Sequence, residues 1–296
     1  MDTDGLRTFL AIHQTGGFSS AADQLGRSQP AISRRIALLE EELGTPLFER
    51  APGGVVLSQA GHVLLPHAQR ALAAMEDCRA AVGAMRSGKA GSLSLAVVGT
   101  LAGARLTAAL RRFSKRYPAI ELTLRTASSS EVSELVRRGA ATLGLRYHRD
   151  RARDLDCAVT AQERLRIVCA PDHALAGKTV RSLRALADEA WLAFPQADTV
   201  RESSAYALFA QFAALGVPDV RWTPVDSLTA QKRLAEAGYG LAVLPESAVG
   251  EELEAKTLAT IDVAGLTLEN PVCLVTRRGG YLSPAARALI DLLGRT

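Results

Sequence analysis

Residues 18–50 read FSSAADQLGRSQPAISRRIALLEEELGTPLFER. Apolar positions recur at helical spacing on both sides of Gly26-Arg27-Ser28. Phe18, Ala21, Ala22 and Leu25 form one short stripe, for which Ser19 is the expected N-cap and Phe18 a hydrophobic staple. Ser28 is the expected cap of the next helix, and Pro30 falls in its first turn, where a missing N–H costs nothing. The buried face of that helix is Ile32, Ile36, Leu39 and Leu43, and Gly44 is placed to end it. Upstream, Leu6, Phe9, Leu10 and His13 predict a further helix, stopped by Gly16-Gly17. Two short helices joined by a glycine-containing three-residue turn make a helix-turn-helix.

The exposed face of the second helix carries Gln29, Pro30, Ser33, Arg34 and Ala37. Gln and Arg read adenine and guanine edges in the major groove, and here they stand at the helix end that enters it. Ser20, Arg27, Ser28, Arg35 and Arg50 complete the expected DNA-contacting set. Total charge does not make this argument. The chain has a net charge of +4, yet residues 1–50 hold seven acidic side chains and five basic ones.

A length of 296 residues suits two or three domains. Residues 58–87 predict one long helix, capped by Ser58 and interrupted only by Gly61, Pro66 and Gly83. Leu64, Ala68, Ala71, Met75, Cys78, Val82 and Met85 recur in steps of four and three, which is the heptad spacing of a dimerisation seam. Gly88 and Gly91 mark a linker. Beyond it, strands at Leu93–Val98, Glu121–Thr126 and Leu143–Arg146 alternate with helices at Ala104–Tyr117 and Glu131–Arg138. A second set comprises Arg166–Ala170, Trp191–Phe194, the helix Arg201–Leu215, Val220–Thr223, the helix Leu228–Ala237 and Leu241–Leu244; Pro271–Thr276 and the helix Pro284–Leu293 follow. The alternation predicts a largely parallel sheet.

Ligands of such sheets sit beyond the strand ends, at helix N-termini. Thr100, Ser128, Ser129, Ser130, Phe194, Pro195, Thr199 and Arg201 occupy such places. Their hydroxyls and the helix dipoles favour a carboxylate or other anion.

Other classes are excluded or unsupported. HExxH, GxSxG, GxxxxGK[ST] and GxGxxG are absent, so no enzyme motif, metal site or cofactor is expected. The start MDTDGLRTFL has no basic segment leading into an apolar one, and no apolar run reaches ~18 residues, so a cytoplasmic protein is expected. Cys78, Cys157, Cys169 and Cys273 form no CxxC pair and are read as buried thiols; Cys157 and Cys169 lie near a lobe boundary without the spacing of a sensor pair.

The stretch quoted above, followed by GGVVLSQAG at 53–61, resembles the N-terminal domain of LysR-type transcriptional regulators. The likeness runs without gaps from about Leu6 to Leu65 and includes SQPAIS and LE-x-x-LG-x-x-LF-x-R. It implies an α+β multi-domain protein: a winged helix-turn-helix (1–58), a linker and dimerisation helix (59–88), and a two-lobed α/β effector-binding domain (89–296) resembling periplasmic binding proteins. Lobe 1 is expected at about 92–161 and 268–296, and lobe 2 at about 162–267. The resemblance further implies double-stranded DNA, RNA polymerase and a small-molecule effector as partners, and a homodimer or homotetramer. Arg146 and Ser227 join the expected effector pocket. Two departures stand out. The wing, Ala51-Pro52-Gly53-Gly54-Val55-Val56, carries no charge, and Thr142 replaces a usual acidic residue.

Overall fold

Asp2 starts the chain's first helix by accepting a hydrogen bond from the Gly5 amide at 2.7 Å, as an N-cap carboxylate should. In the computed structural model, which describes residues 1–52, 54–87, 91–195, 204–217 and 219–294 (side chains at 80, 84–87 and 204–207 excepted), three helices follow from it. They are α1 (Thr3–Thr15), α2 (Phe18–Leu25) and α3 (Gln29–Leu43). Gly16, Gly26 and Gly44 end them in the left-handed region. The hairpin β1 (Phe48–Ala51) and β2 (Gly54–Leu57) forms the wing. It is tied back by the Val55 amide, which donates to Gly16 O at 3.1 Å.

Three details depart from the expected pattern. Helix α2 begins at Phe18, with Gly17 rather than Ser19 at the cap, because the Phe18 ring packs edge-on against Phe48 at 6.0 Å. Ser28 has the extended backbone of a cap, but its side chain makes no capping bond. Leu43 is 40% exposed, whereas Ile32, Ile36 and Leu39 are buried. The helix turns its last leucine out of a core too small to reach it.

Helix α4 (Gln59–Ser87) leaves the wing at Ser58, whose hydroxyl donates to Pro46 O at 2.7 Å and accepts from the Gly61 amide at 3.1 Å. The expected heptad seam divides here. Ala68 is 1% exposed and lies in the core of the winged domain, with Leu64, Leu65 and Leu72 packed against it. Ala68 therefore serves its own domain, and Leu64 is half-buried beside it. Ala71, Met75, Cys78 and Val82 remain exposed. The Met85 side chain lies outside those described.

The remainder runs β3 (Gly91–Val98), a 3-10 turn, α5 (Ala104–Arg116), β4 (Ile120–Ala127), α6 (Ser129–Arg137), β5 (Leu143–Tyr147) and β6 (Leu155–Cys169). Then come β7 (Thr179–Val180), β8 (Trp191–Ala193), α7 (Ser204–Ala214), β9 (Trp222–Pro224), α8 (Leu228–Glu236), β10 (Leu241–Pro245), α9 (Glu246–Glu254), β11 (Ala259–Val263), β12 (Glu269–Arg277) and α10 (Pro284–Gly294). The main strand order is β4-β3-β5-β12-β6-β10-β8-β9. Strand β3 pairs in parallel with β4 and β5, and β8 with β9 and β10. The centre of the sheet is antiparallel, contrary to expectation, because β12 returns beside β5 and β6.

Two larger cores form among the described residues. One gathers Leu95, Val97, Leu106, Phe113, Leu143 and Leu289; the other gathers Leu165, Ile167, Trp191, Phe212 and Leu241. Smaller clusters form around Val132, Val136 and Val275 and around Val168, Leu244 and Val249. Strand β6 passes from the first core beside Ala161 into the second at Leu165, and β12 makes the reverse passage from Leu268 to Val272.

The two helical glycines of α4 at 61 and 83 differ in their surroundings. A Cβ at Gly61 would lie 2.2 Å from Leu47 O, whereas one at Gly83 would meet nothing within 4 Å. Gly61→Ala should destabilise the winged domain by about 1–3 kcal/mol through overpacking. Gly83→Ala should stabilise by about 0.5–1 kcal/mol through the lost entropy of glycine. Urea unfolding of the two variants checks the opposite signs.

Candidate DNA-binding face and effector cleft

Helix α3 presents Gln29, Pro30, Arg34 and Ala37 to solvent, with Ser33 half-buried beside them. Gln29 Nε2 donates to Ser33 Oγ at 2.9 Å, so the first turn holds a preset polar pair. The arginines expected to contact DNA fall into two groups. Arg27 grips Asp4 with two bonds of 2.7 and 3.2 Å, and Arg35 reaches Asp2 at 2.8 Å and Asp4 at 3.3 Å. These two fasten α2 and α3 to the start of α1, and their charge is already balanced. The Gly5 amide first, and then Arg35, hold the Asp2 carboxyl below its ordinary range. Arg34 and Arg50 are exposed and have no ion pair among the described residues. Ser20 and Ser28 are exposed on the same unit.

In the effector domain, Thr100 and Ser129 are brought together by a residue that sequence reasoning missed, Tyr147. Thr100 Oγ1 donates to the Tyr147 hydroxyl at 3.0 Å, and the Tyr147 amide donates to Ser129 Oγ at 3.3 Å. Burial pushes the Tyr147 phenol well above its ordinary pKa, and the nearby Glu163 carboxylate adds to this. Ser128 caps α6 in a closed box. Its hydroxyl donates to Glu131 Oε2 at 2.9 Å, and its amide donates to the same oxygen at 2.8 Å. That backbone bond, chiefly, holds the Glu131 carboxyl below its usual range. The positive end of α6 is thus filled by its own carboxylate. Ser130 Oγ lies 3.2 Å from Ser128 Oγ.

The other expected pocket residues separate. Arg146 is 5% exposed and donates to Ser133 Oγ at 2.6 Å, to Asp150 Oδ2 at 2.8 Å and to Tyr147 O at 3.1 Å. It is a buried brace between β5 and α6, with its charge met by Asp150. Ser227 caps α8 by accepting from the Ala230 amide at 3.3 Å. Phe194 is half-buried and Pro195 exposed after β8, while Thr199 and Arg201 lie outside the described residues. Between the two cores stand Glu163 and Asn270, directly opposite each other on β6 and β12. Ser247 Oγ donates to Glu163 Oε1 at 2.9 Å. Asn270 is 1% exposed, and its Nδ2 finds no partner among the described residues. The signal for these two was hidden because the sequence marks neither strand at that point.

Residues 3–62 match the family model for the bacterial regulatory helix-turn-helix protein of the lysR family, and residues 86–296 match the LysR substrate binding domain. The chain belongs to the LysR-type transcriptional regulators. It is 33% identical to the SDS degradation transcriptional activation protein of Pseudomonas sp. (strain ATCC 19151), over 99% of this chain and 95% of that protein. It is 30% identical to the regulator CbbR of Rhodospirillum rubrum, over 97% and 94%. Among solved structures, CbnR, a LysR family transcriptional regulator, aligns with a TM-score of 0.69 at 26% identity, covering 100% of this chain and 99% of that one. CbnR in complex with its target DNA aligns at 0.67 and 27% identity, with the same coverage. The relatives are regulators, not enzymes.

This LysR-type regulator also has a joint that sequence spacing did not reveal. Ala73 of α4 packs on Gly139, where an added Cβ would fall 2.7 Å from the Ala73 Cβ. One turn on, Asp77 Oδ2 accepts from Arg277 Nη2 and, at 3.2 Å, from the Tyr281 amide. The two charged side chains are 26% and 16% exposed. A crevice of about 620 Å³ opens beside them, lined by Ser94, Thr142, Arg277 and Tyr281 among others. The Thr142 hydroxyl lies 3.2 Å from Ser94 Oγ, and the Thr142 amide donates to Ser94 O at 2.9 Å.

Asp77→Ala leaves Arg277 largely buried without its carboxylate, which should destabilise the joint by about 2 kcal/mol. Hydrogen exchange should speed up at the Tyr281 amide and in α4 beyond Ala73, with α1–α3 unchanged. Unaltered exchange at Tyr281 would contradict the assignment.

Proposed function

We propose that this regulator reads DNA with the N-terminal half of α3 and responds to a small molecule in the cleft between its lobes. The observation that carries the DNA reading is the division among the arginines. Arg27 and Arg35 are neutralised by Asp2 and Asp4, which leaves Arg34 on the recognition face and Arg50 on the wing without ion pairs among the described residues. The proposed contact set is Ser20, Ser28, Gln29, Pro30, Ser33, Arg34 and Arg50. Arg34, beside the Gln29–Ser33 pair, meets base edges; Arg50 meets phosphate. CbnR, similar over the whole chain and solved with its target DNA, supports the reading.

The proposed effector is a small anion. Arg146 is committed to Asp150, so its proposed cationic anchor is Arg201, with Thr100, Thr199 and Ser227 supplying hydroxyls. Its charged end stays clear of Glu163, whose carboxylate would repel it. A ligand that binds one arrangement of the lobes more tightly shifts the population of that arrangement, and α4 carries the change to the recognition helices. RNA polymerase recruitment and a cytoplasmic location complete the proposal. No helix among the described residues is long and apolar enough to cross a membrane.

For quaternary structure we propose a dimer through the exposed stripe Ala71, Met75, Cys78 and Val82 of α4, so that paired recognition helices read two half-sites. Assembly of two dimers into a tetramer is part of the same proposal.

Two measurements test these readings. Arg34→Ala should narrow the gap between specific and random DNA by about 1–3 kcal/mol, whereas Arg50→Ala should weaken both alike and reduce the salt slope by about 1. With no charged side chain at 51–56, the parent should show a shallower slope than a relative with basic residues there. Equal losses on both DNAs for Arg34→Ala would contradict base reading. Val82→Lys should shift sedimentation towards monomer without lowering the melting temperature; a dimer unaffected at micromolar concentration would remove the stripe from the interface.

A further inference from the structure

Strand pairing places three chemically distinct side chains in a row on one face of the first lobe. Arg146 on β5 stands opposite Cys273 on β12, and Cys273 stands opposite Val159 on β6. Cys157, two residues before Val159, shares that face, since alternate residues of a strand point the same way. The two thiols, 116 positions apart in sequence, are diagonal neighbours across β6 and β12. Cys273 is fully buried and Cys157 half-buried, so one is sealed and the other is reachable. Arg146, buried in the same row, is held by Ser133 and Asp150.

The polar groups converge on the Cys157 sulfur. The Cys273 thiol and the Asp150 amide donate to it and the Arg146 guanidinium adds positive charge, against burial and the Asp150 carboxylate, which oppose the thiolate. The first three prevail and hold Cys157 well below the ordinary thiol range. The same contact, with burial, pushes Cys273 far up, so it keeps its proton. Cys169 is the opposite case. Buried in the second lobe, it is pushed up to about 11, chiefly by desolvation, and behaves as an inert core thiol.

We propose that Cys157 is a nucleophilic modification site, with Cys273 as its fixed hydrogen-bond donor, and that it takes covalent adducts from small α,β-unsaturated carbonyl compounds. The Cys157 sulfur attacks the β-carbon and a C–S bond forms. The electron pair of the C=C bond moves onto the carbonyl as an enolate, which takes a proton from solvent. The product is a neutral thioether, no oxidant or reductant is needed, and Cys273 stays protonated. An adduct here presses on Asp150, and through Arg146 and Ser133 on α6, the helix that carries Ser128 and Ser129. The site therefore abuts the Thr100–Tyr147–Ser129 cluster without being part of it.

N-ethylmaleimide, an unsaturated imide, tests the assignment on the full chain. The folded protein is labelled at limiting reagent between pH 5.5 and 8.5, and each cysteine peptide is quantified by mass spectrometry. Glutathione added to the same reaction is the reference thiol, because Cys78 lies on the proposed dimer stripe. Cys157 should label with a rate–pH midpoint about one unit or more below that of glutathione, and Cys169 should remain unlabelled. Cys273→Ala should move the Cys157 midpoint up towards that of glutathione; Cys273→Ser, which keeps an O–H donor, should retain most of the effect. An unlabelled Cys157, or a midpoint equal to that of glutathione in the parent protein, overturns the proposal without any variant. An unmoved midpoint in a folded Cys273→Ala overturns the role of Cys273.

Discussion

Helix α4 is packed at two places along one length, and the architecture hangs on that. Its first turns close the core of the winged domain through Leu64, Ala68 and Leu72. One step further, Ala73 lies on Gly139 and Asp77 meets Arg277 and the Tyr281 amide. A helix rises 1.5 Å per residue, so the two contacts are separated by little more than one turn from Leu72. Little of the helix lies between them. The contacts are also unlike in kind. Apolar packing tolerates small slides, whereas a single carboxylate oxygen that accepts from both Arg277 and the Tyr281 amide is either engaged or released.

Electrostatics in the winged domain follows a division of labour between similar residues. Five arginines in the first fifty residues look alike in sequence, but acids on α1 decide which of them are structural. Asp2 caps its helix and pairs with Arg35 at once, so one carboxylate sets both a helix start and a helix crossing. Of the seven acids in the first fifty residues, Asp2 and Asp4 are thus taken up in holding the helices of the domain together.

The sequence revealed the winged domain almost completely because its signals are local. Stripes, caps and glycine stops lie within a turn of each other, and the errors there, Ser19, Ser28 and Leu43, lie at helix ends. The α4 seam was legible as a heptad but not as a division of roles, since periodicity cannot say which partner covers a face. The effector domain was legible as alternating elements, yet β6 was found only from Arg166. Its first eleven residues, LDCAVTAQERL, mix charges with small residues and are mostly exposed or half-buried. Missing that stretch hid Glu163, the antiparallel centre of the sheet and the meeting of Cys157 with Cys273. Arg146 looked like a ligand anchor because a cation at a strand end is the visible part; Asp150, which balances it, was four residues away in the same basic run.

The double passage of the chain between the lobes bears on how the protein is made. The first lobe needs β12, Leu289 and Leu293 from the end of the sequence to complete its core, while the second is built wholly from the chain between. On the ribosome the winged domain emerges first, and the second lobe is complete before the first can close. Until then β5 and β6, which flank β12 in the finished sheet, lack the strand that belongs between them. That interval exposes the hydrogen-bonding edges of β5 and β6 together with the apolar faces of α5 and β3, making the half-built first lobe the stage of synthesis most open to mispairing with another chain.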